Sequence, residues 1–268
     1  MFIFHLTKYT YLRVCVTCLQ LLYLELPELY HDVRTYTSVY FEKGGIMKIL
    51  IINGSPRTKG VTATVLHMME EELVSRGADV EFVNLSEIKM SHCLGCCSCY
   101  TTGHCCIDDD AEVLSKRIAD ADGIVLGSPT YASNVSGLMK DCIDRGHFVI
   151  EQLLNGKYCI TLATGENYGN GDVLKILNNL VLFSGGKRSA KIKIRVPFGD
   201  TNTVRKNTKE IVRKSAAKLV LGIKNKKKYP IQRGCHYVIF NLGIKPFVKK
   251  KQDAYRGVTE KWESMGIG

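Results

Sequence analysis

The chain has 268 residues, of which 45% are hydrophobic and 24% are charged, and this is enough for one well-buried core with appendages. Six of its eleven cysteines lie between Cys93 and Cys106. This clustering excludes the evenly spaced disulfide framework of a secreted protein, and it favours the reduced cytoplasm and a bound metal.

The net charge of +11 is distributed unevenly along the chain. Between Lys187 and Arg256 there are 21 lysines and arginines against three acidic residues, so this part carries +18 and the remainder carries −7. A basic segment on an acidic body is typical of contact with a membrane surface, a nucleic acid or an acidic protein, or of a solvated face. Because no helix-turn-helix or aromatic-interleaved basic motif accompanies it, we expect no nucleic-acid partner.

Residues 1–46 differ from the rest and are predicted to be an N-terminal extension. They are apolar and aromatic at first, but charged residues and a proline interrupt every span of about 20 apolar residues, and no secretory cleavage site follows. Residues 43–47, KGGIM, can be encoded by a purine-rich stretch that resembles a bacterial ribosome-binding site before a start codon. We hypothesise that the native chain begins at Met47 and that the upstream segment is over-annotation. N-terminal sequencing of the native protein tests this, and a mature N-terminus near Met1 would contradict it.

Residues 47–66, MKILIINGSPRTKGVTATVL, predict a buried parallel strand, a turn and then a helix. The helix start offers unpaired backbone N–H groups, and hydroxyls and a guanidinium surround the same point, at Ser55, Arg57, Thr58 and Thr62. The spacing matches neither the Walker A loop nor G-x-G-x-x-G, and it suits a terminal monophosphate such as that of FMN. An ordinary strand-to-helix turn with exposed polar residues is the alternative.

After a second strand over residues 79–85, four cysteines follow in the spacing C-x2-C-x2-C-x5-C: Cys93, Cys96, Cys99 and Cys105. Three thiolates at three-residue intervals can occupy three corners of a cubane, and a fourth after a short loop can close it. The pattern favours a [4Fe–4S] cluster. A zinc site and a metal-free, reduced or redox-active cysteine loop remain as alternatives.

The rest of the body alternates strands and helices. Strands are predicted at 123–129, 157–164 and 190–196, and helices at 111–121, 135–149, 173–183 and 203–221. This alternation is typical of a doubly wound parallel α/β sheet. Loops 128–134 and 164–171 then lie at the carboxyl edge of the sheet, where ligands of such folds bind. The first loop offers backbone groups and Tyr131 to a flavin ring, unless that tyrosine merely packs on the surface.

Four motifs, INGSPRTKGVTATVL, CLGCCSCYTTGHCCIDDD, GSPTYASNVSGLMKDCIDR and TGENYG, together resemble the flavodoxin-like NAD(P)H-dependent FMN reductases, and specifically the iron–sulfur flavoproteins of anaerobic bacteria and archaea. The resemblance covers residues 47–221 and implies a flavodoxin-like sheet of order 2-1-3-4-5. It implies that the FMN phosphate binds Ser55, Arg57 and Thr62, that the isoalloxazine contacts Pro129, Thr130, Tyr131 and Ser133, and that its other edge meets Thr164 and Gly165. The four cysteines named above would be the cluster ligands.

Two residues depart from the family pattern. Val61 stands where the phosphate loop usually has Asn, and Glu166 places a carboxylate near the ring. The loss of the Asn contact is expected to weaken the phosphate site rather than abolish it.

The resemblance implies a cytoplasmic, homo-oligomeric flavin oxidoreductase. Electrons would pass from a donor such as NAD(P)H through FMN and the cluster to an external small-molecule or protein acceptor, and no side chain need act as nucleophile or general base. The runner-up function is a cluster-free NAD(P)H-dependent FMN or quinone reductase. A redox-sensing binding protein is a third possibility, without motif support.

Residues 47–222 are predicted to form the FMN-binding domain and residues 223–268 a basic, partly apolar tail. The apolar run Cys235–Val248 is too short and broken to cross a bilayer, and it has lysines on both sides. It is expected either to pack between subunits or to make peripheral contact with an anionic membrane surface.

Overall fold

Five runs of aliphatic and β-branched residues form one parallel sheet in the computed structural model, which describes residues 46–197 and 200–268. The strands are β1 (Lys48–Asn53), β2 (Asp79–Asn84), β3 (Gly123–Pro129), β4 (Tyr158–Gly165) and β5 (Lys187–Arg195). Every neighbouring pair is parallel and the order is β2-β1-β3-β4-β5. The flavodoxin-like doubly wound fold is therefore confirmed. The hypothesis of a start at Met47 concerns a segment that lies outside the described residues.

Helices cover both faces of the sheet. Those of the body are α1 (Val61–Val74), α2 (Ser98–Thr102), α3 (Asp110–Asp120), α4 (Gly137–Arg145), α5 (Asn170–Phe183) and α6 (Thr201–Lys224). The short helix α2 lies within the cysteine loop, where the sequence indicated none. Helix α4 ends four residues before its predicted end because the chain beyond it is irregular, with positive φ at His147 and Gln152.

The two faces of the sheet carry separate cores, as the alternation of side chains along each strand requires. Ile49 and Ile51 of β1 pack with α1 and α6, whereas Leu50 and Ile52 pack with α3, α4 and α5. Strands β1, β3 and β4 are buried on both faces, which is why their sequences are continuous apolar runs.

The C-terminal segment is helical and packs on the body of its own chain. It consists of α7 (Pro230–Val238), a π-helical turn (Ile239–Ile244), α8 (Lys245–Lys250), a 3₁₀ turn (Gln252–Tyr255) and α9 (Arg256–Ser264). Four of its side chains form a third core with neighbours from α2 and the α4–β4 connection: Phe240, Val248, Val258 and Trp262. Among residues 46–197 and 200–268, no helix is both long and apolar enough to cross a membrane.

Close backbone approach joins α9 to the cysteine loop. A side chain at Gly257 would place its Cβ 2.1 Å from the backbone nitrogen of Gly103, so only glycine fits there. Tyr100 of α2 stacks on Tyr255 with ring centroids 5.1 Å apart, and Thr101 Oγ1 donates to the carbonyl of Ala254 at 3.1 Å. The C-terminal segment therefore covers one side of the cysteine loop.

Candidate functional site

A cleft of about 270 Å³ opens at the carboxyl edge of the sheet, between the loops that follow β1, β3 and β4. All nine residues predicted to contact FMN line it: Ser55, Arg57, Thr62, Pro129, Thr130, Tyr131, Ser133, Thr164 and Gly165. They come from segments more than 100 residues apart in sequence, and parallel strands bring them to one edge. Their role in binding FMN stays a prediction.

Local hydrogen bonds shape the turn after β1. Asn53 Oδ1 accepts from the backbone N–H of Ser55 at 3.0 Å, and Ser55 Oγ accepts from that of Arg57 at 3.1 Å. Helix α1 then starts beyond Gly60, and no side chain caps it. Its first N–H groups and the positive end of its dipole remain available to an anion at the cleft.

A hydrogen bond between two buried hydroxyls closes the floor of the cleft. Thr62 Oγ1 of α1 lies 2.7 Å from Thr164 Oγ1 at the end of β4. The two residues are 102 positions apart, so this contact ties the phosphate-side loop to the β4 loop. Val61 also lines the cleft, at the position where the sequence departs from the family pattern.

The loop after β3 is held in an uncommon conformation. Ala132 and Ser133 both have positive φ, 47° and 61°, which costs a non-glycine residue about 1 kcal/mol or more. Tyr131 and Asn134 exchange two backbone hydrogen bonds across the turn, at 3.0 and 2.9 Å. The turn is thereby fixed with the Tyr131 side chain 41% exposed at the cleft.

One polar atom at the cleft lacks a partner. Thr130 Oγ1 is buried and has no hydrogen-bond partner among the described residues. Such a group costs free energy unless a ligand or water meets it. The orphaned hydroxyl, the uncapped helix start and the cleft between three loops all fit a flavin with a phosphate.

Gly165 offers a direct test of the cleft. A Cβ at this position would lie 2.3 Å from Asn170 Oδ1 and 3.1 Å from Thr130 Cβ. Gly165→Ala is expected to displace these groups, which costs about 1–3 kcal/mol of free energy. FMN binding should therefore weaken about tenfold or more, as measured by a fluorescence-quenching titration. Gly137→Ala is the matched control, because no atom lies within 4 Å of its added Cβ. Equal FMN affinity of both variants would contradict a role of this edge in binding.

The four predicted cluster ligands lie in one loop and its short helix. Cys93 and Cys96 are exposed, Cys105 is half-buried, and Cys99 is buried on α2. Burial raises the pKa of the Cys99 thiol to about 11, with the negative charge of Glu151 adding to the effect. All nine cysteines of the described residues are free thiols.

Cys106 makes a contact that the spacing argument missed. Its Sγ lies 3.3 Å from Cys96 Sγ, and the two thiols share a hydrogen bond. Cys106 directly follows the last cysteine of the motif, but the turn that folds it back onto Cys96 leaves no signal in the spacing.

The donor set fits a thiolate-bound cluster by its chemistry, since iron–sulfur clusters take cysteine thiolates as ligands. Within 46–197 and 200–268, no three His, Cys, Asp or Glu side chains converge to hold a single metal ion. A zinc ion needs all its ligands about 2.3 Å from one centre, whereas the cysteines of a cubane occupy separate corners. The cluster and the zinc site both stay predictions from the cysteine spacing.

A buried ion pair supports the cysteine loop, and the sequence did not reveal that its two members would pair with each other. Arg145 of α4 and Asp109, which precedes α3, are each only 1% exposed in their side chains and meet at 2.8 Å. Arg145 also donates to the carbonyl of Ser91 at 2.7 Å and to Cys105 Sγ at 3.4 Å. The guanidinium thus links both ends of the loop.

The charge of Asp109 is held by several donors. Burial alone would raise its pKa, but hydrogen bonds from Arg145, Ser91 N–H and Ala111 N–H outweigh burial, and the pKa lies below its ordinary value. Asp109 therefore stays ionised beside Arg145 across the physiological pH range.

Comparison with known proteins gives consistent matches. The family model described as NADPH-dependent FMN reductase matches residues 47–186. An iron–sulfur flavoprotein of Clostridioides difficile (strain 630) is 34% identical over 225 residues, covering 82% of this chain and 100% of that protein. An iron–sulfur flavoprotein of Methanocaldococcus jannaschii is 30% identical over 141 residues, and this match covers 51% of this chain and 72% of that protein.

Solved structures share the fold at low sequence identity. A flavone reductase superposes with a TM-score of 0.56 at 18% identity, covering 71% of this chain and 69% of that one. An FMN-dependent NADH-azoreductase from Bacillus anthracis superposes with a TM-score of 0.51 at 19% identity, covering 65% and 99% of the two chains. At this identity the likeness concerns the fold alone.

Proposed function

Because the chain belongs to the NADPH-dependent FMN reductase family, and within it to the iron–sulfur flavoproteins, we propose that this FMN-binding oxidoreductase passes electrons from a reduced donor such as NAD(P)H to an external acceptor by way of FMN and a [4Fe–4S] cluster. The observation that supports this most is the convergence of nine predicted residues on one cleft, in a chain that also carries a loop with six cysteines.

In this proposal the cleft residues bind and orient the flavin. Bound FMN would supply transfer of a hydride and of single electrons, while the protein supplies binding, orientation and electrostatics. Ser55, Arg57 and Thr62 hold the phosphate at the start of α1, where the helix dipole favours a negative charge. A polar group of the bound flavin would satisfy the buried Thr130 hydroxyl, which has no hydrogen-bond partner among the described residues.

The remaining cleft residues position the ring. Pro129, Tyr131 and Ser133 line one side of the cleft, and Thr164 and Gly165 line the other. The fixed turn after β3 keeps the first group in place before the flavin binds. Binding of the flavin therefore costs little free energy for ordering this loop.

Cys93, Cys96, Cys99 and Cys105 are the proposed cluster ligands. A cluster thiolate is stabilised by N–H donors, and Arg145 already points one N–H at Cys105 Sγ. The buried pair of Arg145 and Asp109 holds Ser91, at the start of the loop, in a fixed position relative to Cys105.

The proposal is tested by the absorption spectrum and the iron and sulfide content of protein purified without air. We expect flavin bands with a broad visible shoulder, and about four iron and four sulfide per chain. Cys99→Ser and Cys105→Ser are expected to lose iron and keep the flavin bands. Cys235→Ser, an exposed thiol outside the loop, serves as the control and should keep both. Wild-type protein with flavin and no iron would contradict the cluster assignment.

A cluster-free NAD(P)H-dependent FMN or quinone reductase is the second candidate, and one observation favours it. The 3.3 Å contact between Cys96 and Cys106 is that of a thiol pair, which needs no metal. Under this alternative Cys106→Ser changes the rate at which the loop oxidises, whereas under the leading proposal it leaves the iron content unchanged.

We also propose a cytoplasmic location and a homo-oligomeric state. Free thiols at all nine described cysteines are typical of a reducing compartment. Tyr131 and Tyr168 at the cleft are 41% and 78% exposed, and a second subunit would cover them. Light scattering coupled to size-exclusion chromatography tests the oligomer, with a monomer as the contrary result.

A further inference from the structure

The continuous helical segment from Pro230 to Lys250 has an inner and an outer side. Phe240 and Val248 point into the third core and are 4% and 0% exposed. Ile231, Val238 and Leu242 are 82%, 53% and 72% exposed, and their spacing of seven and four residues places them along one side of the helix. We call these three side chains the tail face. Large aliphatic side chains exposed in a row are unusual in a protein that meets only water.

The chain around the tail face is strongly cationic. Residues 211–252 contain twelve lysines and arginines and no aspartate or glutamate. Lys226, Lys227 and Lys228 precede α7, Lys249 and Lys250 end α8 and Lys251 follows it, and all six are exposed. In the described part of the chain, none of these six takes part in an ion pair. The tail face therefore lies between two cationic clusters without local neutralisation.

We propose that the tail face docks this protein peripherally on an anionic lipid bilayer. Aliphatic side chains enter the boundary between headgroups and acyl chains, and the lysines on either side pair with lipid phosphates. The helix lies in the plane of the interface rather than across it, which agrees with its length and with its inner side being packed on the protein.

Two other occupants fit the charges less well. A second copy meeting the tail face about a two-fold axis would oppose the same lysines to each other, and like charges repel. A nucleic acid would pair with the lysines but would leave Ile231, Val238 and Leu242 in water or against phosphates. Of these three occupants, only the anionic bilayer satisfies both the charge and the exposed aliphatic surface.

The test uses the full chain, because removal of the segment would also strip the cover from the cysteine loop. Wild-type protein is sedimented with vesicles of phosphatidylcholine alone and of phosphatidylcholine with about 30% phosphatidylglycerol. Val238→Glu/Leu242→Glu and Lys226→Glu/Lys227→Glu/Lys228→Glu change exposed side chains only. Lys175→Glu/Lys191→Glu/Lys193→Glu is the matched control for the lysine variant, since these exposed lysines at α5 and β5 give the same change in net charge as that variant.

We expect wild-type protein to bind the anionic vesicles and not the neutral ones. Each tail variant should bind at least about tenfold more weakly, while the control keeps most of its binding. All variants contain residues 1–45 unchanged. Differences in vesicle binding between the variants therefore report on the substituted residues. Equal loss in the control variant, or no binding by the wild type, would overturn the proposal. A change of oligomeric state in Val238→Glu/Leu242→Glu without a change in sedimentation would assign the face to contact between copies instead.

Discussion

Replacement of Arg145 by methionine is expected to destabilise the fold by about 3–5 kcal/mol, the cost of leaving a buried charge without its partner. The unpaired carboxylate is that of Asp109, whose side chain is 1% exposed. The free energy of unfolding from urea denaturation measures the effect. Lys140→Met removes an exposed ion pair with Asp144 on the same helix and should cost less than about 0.5 kcal/mol.

Two further measurements separate the effect of the lost charge on stability from the effect of the lost packing. Arg145→Met/Asp109→Asn keeps a capping side chain before α3 and removes both charges, so it should recover most of the lost stability. Because the pKa of Asp109 lies below its ordinary value, wild-type protein loses the contribution of the pair as the pH falls through the acidic range. The Arg145→Met variant should lack this acid-dependent loss. A double variant as unstable as Arg145→Met would contradict the ion-pair explanation.

Replacement of Trp262 by alanine is expected to release the C-terminal segment from the cysteine loop. Trp262 is 1% exposed, packs on Phe240 with ring centroids 5.0 Å apart, and donates from Nε1 to the carbonyl of Ile150 at 3.0 Å. Loss of such a side chain from a core costs about 3–5 kcal/mol. We expect the thiol of Cys99 to react faster with an alkylating reagent, and the segment to be cut earlier in limited proteolysis.

Tyr237→Ala is the control for this prediction, because Tyr237 belongs to the same segment but is 64% exposed. It should leave both the thiol reactivity and the proteolysis unchanged. If Trp262→Ala lowered the global stability without any change at Cys99, the C-terminal segment would support the fold but would not shield the cysteine loop.

Much of the fold could be predicted because its central strands β1, β3 and β4 are buried on both faces. In β1 this burial shows directly as the unbroken apolar run of residues 49–52, and the turn residues that follow mark the carboxyl edge. The cleft was equally accessible to prediction, since topology alone brings the ends of β1, β3 and β4 together. Boundaries were less accurate at the edge strand β5, which begins at Lys187 although its first half is not strongly apolar.

The contacts around the cysteine loop could not be predicted from sequence. Arg145 and Asp109 are 36 residues apart and carry no periodic signal, and their pairing depends on how α4 lies against the loop. The C-terminal segment showed an apolar run with lysines on both sides, but such a run does not reveal which of its residues are covered by the rest of the chain. Gly257 illustrates this, because its need for a glycine arises only from the approach of Gly103.

The close contact between Gly257 and Gly103 has a consequence for biosynthesis. Gly103 leaves the ribosome about 150 residues before Gly257, and at translation rates of roughly 5–20 residues per second the delay is about 8–30 s. During that time β1 to β4 can already pair, while one side of the cysteine loop has no cover. The order of synthesis therefore provides an interval in which the cluster proposed above can be inserted before the last helix closes over the loop.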